Sequence, residues 1–214
     1  MNNDQGQCSA HEIAGTDALV LKITADEAVD ARALEQVPLH ALAEAAGAVR
    51  AVQLVHSGEQ PLAYVRLTLP RRRLLRHSDI APALLAQMSS RCPGMLATVC
   101  RLQRLLCVDG PAAGRAPRFH YVVETTPATG WEEEFQRWYD QEHLPGLAQV
   151  PGCIRAQRFL NVDGHPASFA CYDLEAPDVL GSPAWLAVRG TAWSDRVRPH
   201  FTRTIRTMFR VVGE

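Results

Sequence analysis

Slid along itself by 105 positions, the sequence falls into register without a gap. Gly152 lies on Gly47, Arg155 on Arg50, Ala156 on Ala51, Pro166 on Pro61 and Leu174 on Leu69. Upstream, Leu144, Leu147 and Ala148 lie on Leu39, Leu42 and Ala43. Matches this numerous at one offset identify a diverged tandem repeat. A repeat of this length constrains the fold strongly, because one structural solution must serve both halves.

In each half, runs rich in strand formers and stretches of helical periodicity follow in the same order: strand, helix, strand, strand, helix, strand. The predicted elements span about 18–24, 29–46, 49–57, 61–69, 78–91 and 97–108 in the first half. In the second half they span about 119–126, 130–143, 153–161, 166–175, 178–198 and 202–212. That order is the ferredoxin-like βαββαβ unit, an α+β fold with its helices on one face of a four-stranded sheet. Two units in one chain can pack their bare faces together and enclose a barrel-like interior. The segment 109–118, DGPAAGRAPR, is rich in Gly, Pro and Ala and reads as the linker between a unit at 17–108 and a unit at 119–214. Residues 1–16 are polar and aperiodic and read as a loose tail.

The 214 residues are 47% apolar with a formal net charge of −1, an ordinary balance for a globular chain with a real core. Near-neutral charge gives no support for nucleic acid or an anionic membrane surface as a partner. No apolar run is long enough to span a bilayer, and the opening residues do not read as a secretory segment. The basic run Arg71-Arg72-Arg73 reads as a solvated loop. Six cysteines, at 8, 92, 100, 107, 153 and 171, form no CxxC pair and no zinc-like spacing, so they read as reduced thiols of a cytoplasmic protein. Gly-rich phosphate loops, G-x-S-x-G and H-E-x-x-H are absent, which removes the commonest nucleotide, serine-hydrolase and zinc-protease readings.

The chemistry concentrates in residues 138–146, WYDQEHLPG. Thr129 followed by Glu132 forms a capping box that predicts a helix start near 130, and Pro145 predicts its end near 143. On an α-helix Phe135, Trp138, Tyr139 and Glu142 share an apolar stripe, with His143 at its edge and Asp140 turned toward solvent. Glu142 then stands where burial and the helix dipole both oppose its charge, while the dipole favours the imidazolium of His143. The shift of 105 places Val37 opposite Glu142 and Pro38 opposite His143, so the first half carries neither the acid nor the imidazole. Two readings of the pair follow. In one, His143 transfers a proton and Glu142 orients it. In the other, Glu142 is a structural partner of Arg155 or Arg158. Tyr139, Trp138, Arg158 and His200 complete the candidate set as substrate-binding residues. His120 and Glu124 share one strand face, which either lines the barrel or meets the helices.

The stretches EEEFQRWYDQEHLPGLAQVPGCIRAQRF, SFACYDLEAPDVLGSPAW and RVRPHF together resemble the EthD-like branch of the dimeric α/β-barrel superfamily, over most of 119–214. The run W-Y-x-x-E-H-x-P followed by V-P-G is the most specific part. The resemblance implies a barrel of two ferredoxin-like units with a pocket inside. The superfamily includes cofactor-free isomerases of muconolactones, polyketide cyclases and dehydratases, along with haem-using monooxygenases. For this chain it implies a cofactor-independent enzyme that moves a proton on a small aromatic-derived, lactone or polyketide-like substrate. No metal is expected, one site is expected per chain, and the chain is expected to be a monomer or homodimer. Two alternatives stay open: a haem-dependent oxygenase with His143 as an axial ligand, and a non-catalytic small-ligand-binding or stress-associated barrel.

Overall fold

The computed structural model describes residues 13–25 and 34–212. The first half contains β1 (Ile13–Thr24), α1 (Leu39–Ala46), β2 (Ala51–Ser57), β3 (Leu62–Arg76), α2 (His77–Arg91) and β4 (Leu96–Asp109). The second half opens with β5 (Phe119–Pro127) and α3 (Glu132–Trp138), a π-helical turn (Tyr139–His143) and α4 (Leu144–Ala148). It continues with β6 (Cys153–Asn161), β7 (Ser168–Leu174), α5 (Pro183–Arg189), α6 (Ala192–Val197) and β8 (Phe201–Val211).

Each half has the ferredoxin-like strand order, β4-β1-β3-β2 and β8-β5-β7-β6, and the two sheets join at both edges into one closed antiparallel barrel. The seams are unequal. At the β2–β8 seam Val55, His56 and Ser57 face Val211, Arg210 and Phe209. At the β4–β6 seam pairing runs from Leu102 opposite Asn161 to Asp109 opposite Arg155. Closure leaves no free sheet edge, which removes a route to aggregation. The repeat is visible in the backbone as well. Gly47 and Gly152 both take positive φ, 81° and 88°, at the entry to β2 and β6, a conformation that a side chain would strain.

Period-2 alternation sorts the strand residues into two layers. Leu19, Leu21, Ile23, Ala63, Val65 and Leu67 face the helices of the first half. Phe119, Tyr121, Val123, Ala170, Tyr172 and Leu174 face those of the second. The opposite faces meet inside the barrel, where Val20, Tyr64, Leu102, Val122, Phe159, Phe169 and Phe209 form a third apolar cluster.

Charged groups share that interior, and most of their pairs cross between the two halves. Lys22 Nζ lies 2.5 Å from Glu124 Oε2, and the Tyr64 hydroxyl donates to Glu124 Oε1. Arg66 donates to Gln157 Oε1 at 3.1 Å and stands 3.7 Å from Asp173. His120 Nδ1 lies 2.7 Å from Asp173 Oδ1. Burial pushes the Asp173 carboxyl up, but Arg66 and His120 outweigh it and keep the group ionised. The strand face shared by His120 and Glu124 is therefore the barrel face.

Several predicted boundaries shift. The first strand begins at Ile13, so residues 13–16 are strand rather than tail, while residues 1–12 lie outside the described residues. Of the first predicted helix, 29–33 also lies outside them. β3 extends to Arg76 and makes the Arg71-Arg72-Arg73 run a strand, not a loop. Arg72 holds Asp17 at 2.9 Å and Arg73 donates to Ala46 O at 2.9 Å, so neighbouring acceptors support the extension. The helix predicted over 178–198 is two short helices, because Ser182 and Thr191 each cap a new start: Ser182 Oγ accepts from Trp185 N at 3.2 Å and Thr191 Oγ1 from Ser194 N at 3.1 Å. No helix among the described residues is long and apolar enough to cross a membrane.

Candidate active site

The helix that carries WYDQEHLPG departs from its predicted form at both ends. It starts at Glu132 with Trp131 as N-cap, and the Glu132 carboxylate accepts from Gly130 N at 2.8 Å in place of the Thr129 capping box. It does not stop at 143. A π turn spans Tyr139–His143, with Leu144 N donating to Tyr139 O, and α4 continues beyond it with Pro145 in its first turn. Proline supplies no N–H for a regular helical bond, and a π turn is one way a helix absorbs such a residue.

The wider turn reassigns the faces. In an α-helix the residue four positions on lies above Trp138; in a π turn it is the residue five positions on. His143 therefore takes the stripe position that α-helical spacing gives to Glu142. Its ring stacks on Trp138 at 4.0 Å and meets Tyr139 edge-on at 5.4 Å. Glu142 turns aside and accepts from Thr191 Oγ1 at 2.6 Å. Asp140, expected in solvent, turns toward β6 and pairs with Arg158 Nη1 at 2.9 Å. The dipole argument for an imidazolium fails as well, since residue 143 is inside a continuing helix.

The predicted residues consequently part company. His143, Trp138 and Tyr139 line one pocket between the helices and the sheet of the second half. Glu142 bonds Thr191 and no bond joins it to His143. Arg158 is buried under α3, with its guanidinium 4.9 Å from the centre of the Tyr139 ring, and serves Asp140 and Gln136 O. Arg155, the other partner considered for Glu142, pairs with Asp109 at 2.8 Å. His200 stacks flat on Trp131 at 3.4 Å, outside the pocket lining.

Residues that sequence reasoning missed complete the pocket. Tyr121 and Tyr172 come from the helix-facing sides of β5 and β7. Trp185 of α5 packs edge-on against both, at 6.0 and 5.2 Å. Arg189 at the end of α5, Arg198 just after α6 and Arg206 on β8 line the same space. About 30 Å³ is free for the centre of a water-sized molecule, within about 350 Å³ of atom-free space that includes the open mouth.

The electrostatics are those of an unsatisfied polar site. His143 is 7% exposed, and its Nδ1 has no hydrogen-bond partner. Burial, followed by the charges of Arg189 and Arg198, pushes its pKa down to about 3, so the imidazole is neutral near pH 7. Trp138 Nε1, Trp185 Nε1 and the Tyr172 hydroxyl are also buried without partners. Burial raises the Tyr121, Tyr139 and Tyr172 hydroxyls above the usual phenol range, which keeps all three protonated. Native interiors leave few polar atoms orphaned, so four around one cavity point to a polar occupant.

Among the described residues no group of three or more His, Cys, Asp or Glu is placed to hold a metal. A haem fits poorly. The only imidazole lining the pocket is stacked on Trp138, and the atom-free space of about 350 Å³, open mouth included, suits a small organic molecule and not a macrocycle. No step is assigned to iron.

No protein-family model matches the chain, and no curated protein matches it. Solved structures do. A provisionally named monooxygenase from Fusobacterium nucleatum superposes with a TM-score of 0.57 at 8% identity, covering 94% of both chains. An anthrone oxidase-like protein gives 0.56 at 13% identity, covering 94% of this chain and 95% of the other. A chlorite dismutase variant from Candidatus Nitrospira defluvii, in complex with cyanide, gives 0.57 at 11% identity, covering 92% of both. At these identities the likeness is one of fold, and it extends over nearly the whole chain: the ferredoxin-like α/β barrel.

Proposed function

We propose that the chain is a cofactor-independent enzyme of the isomerase, lyase or cyclase type, which moves a proton on a small carbonyl compound held in the pocket of its second half. The observation that carries this reading is His143: a neutral, buried imidazole with an unpartnered nitrogen, beside three unpartnered hydrogen-bond donors. A neutral imidazole can accept a proton from a carbon next to a carbonyl. The electron pair left behind moves onto the carbonyl oxygen. Fixed donors such as Trp138 Nε1, Trp185 Nε1 and the Tyr172 hydroxyl are suited to bear that charge. Return of the proton to another carbon gives isomerisation; loss of a leaving group gives elimination.

With its pKa held low by burial and by Arg189 and Arg198, His143 is by itself a weak base. The developing negative charge offsets Arg189 and Arg198, which are two of the causes of its low pKa. Base strength therefore rises as the reaction proceeds. Glu142 enters as a positioning residue, tying the π turn to Thr191 at the start of α6. The EthD-like resemblance supports the same reading, and the five unpaired described cysteines suit a reducing compartment such as the cytoplasm.

The test screens small aromatic, lactone and polyketide-like carbonyl compounds for turnover, then compares wild type with His143→Ala. Turnover in the wild type and a loss of 100-fold or more in the variant, with a cooperative melt retained, are expected. An unchanged rate in the variant removes the base. Ligand binding without turnover in the wild type favours the non-catalytic barrel.

A further inference from the structure

We propose that Arg189, Arg198 and Arg206 form an anion-binding subsite at the mouth of the pocket, built to hold the carboxylate of a small unsaturated or aromatic acid. This deepens the preceding reading by naming the substrate class, and it rests on that reading only for the identity of the pocket.

Three cations converge on one crevice from three separate elements, the end of α5, the turn after α6 and β8. The two arginines buried outright among the described residues are both paired, Arg158 with Asp140 and Arg101 with Asp163. None of the three at the mouth has a carboxylate within ion-pair distance among the described residues. They instead repel one another. After burial, the charges of Arg189 and Arg206 are what most disfavour the charged form of Arg198, and Asp195 offsets this only in part. Holding like charges together costs stability, and a bound anion would relieve it.

The deeper wall selects the body of the ligand. It is aromatic, with Tyr121, Tyr139 and Trp185 around a narrow space, and its orphaned groups are mainly donors. A flat molecule with one acceptor oxygen inside and one carboxylate at the mouth satisfies both sets. A phosphate would be held by the arginines but would leave the aromatic wall and the inner donors unused.

The test is calorimetric titration of the full chain with acetate and benzoate, against acetamide, benzamide and inorganic phosphate. Carboxylates are expected to bind at least tenfold more tightly than their amides, benzoate more tightly than acetate, with an affinity that falls as salt rises. Arg189→Gln and Arg198→Gln are expected to erase the preference while melting cooperatively. Equal binding of amide and carboxylate overturns the subsite, as does a preference untouched by both substitutions, tighter binding of phosphate, or no binding of either carboxylate. His143→Ala separates the two readings. It is expected to keep the carboxylate preference, which sustains the subsite even if that variant shows His143 to have no part in turnover.

Discussion

Glu124→Leu is expected to destabilise the protein by about 3–5 kcal/mol, the usual result of removing one member of a buried ion pair. Glu124 is 1% exposed and serves both Lys22 and Tyr64 from across the barrel. Without it, an ammonium and a hydroxyl face an apolar interior of Val122, Phe169 and Phe209. The double variant Lys22→Met with Glu124→Leu is expected to recover most of the loss, since replacing both partners by apolar groups of similar size is often close to neutral. Denaturant unfolding of the wild type, both single variants and the double variant measures this directly. An additive double variant, as unstable as the sum of its parts, shows that the pair does not act as a unit.

Stability is expected to fall steadily on the acid side of neutrality, with His143 a main cause. Its pKa in the fold is pushed down to about 3 from an ordinary value of 6.5. The unfolded chain therefore binds the proton first, so stability rises with pH through this window and is lost as pH falls from about 6.5 toward 3. For that shift the loss between pH 7.5 and pH 5 is about 2 kcal/mol from this residue. The groups facing the ring oppose its charge: Arg189 from α5 and Arg198 beyond α6 repel it, and Trp138 and Tyr139 enclose it. His120, also held low by burial, acts in the same direction from inside the barrel. His143→Leu should flatten the profile by its share and be more stable than the wild type at pH 5. Melts of the two proteins between pH 4.5 and 8 decide this; parallel curves leave His143 without a role in acid lability.

Much of the fold was legible because a duplication leaves signals that survive divergence. Leucines and glycines at a fixed shift report a shared backbone, and Gly47 and Gly152 proved to share the same positive φ. The site was less legible, for a local reason. Pattern reasoning assumed an unbroken helix with α-helical spacing, and a single π turn moves every later residue to a different face. That turn exchanged Glu142 for His143 on the buried stripe and brought Asp140 to Arg158. The cue was Pro145, read as a terminator when the helix instead widened to pass it. Arg189, Arg198 and Arg206 were out of reach for another reason. They lie on three elements whose convergence depends on tertiary packing, so no spacing in the sequence links them.

The interior charges carry a consequence for how such a chain can evolve. In a barrel assembled from two identical subunits, every substitution appears twice, and symmetry ties each new residue to its own copy. Here the interior cations Lys22 and Arg66 come from the first half and the acids Glu124 and Asp173 from the second. An arrangement in which one partner supplies the cations and the other the carboxylates they meet is closed to an identical pair. Fusion into one polypeptide released each half from being its own counterpart. One half can specialise as the complementary wall, and the other can carry the orphaned donors and unpaired cations of the pocket.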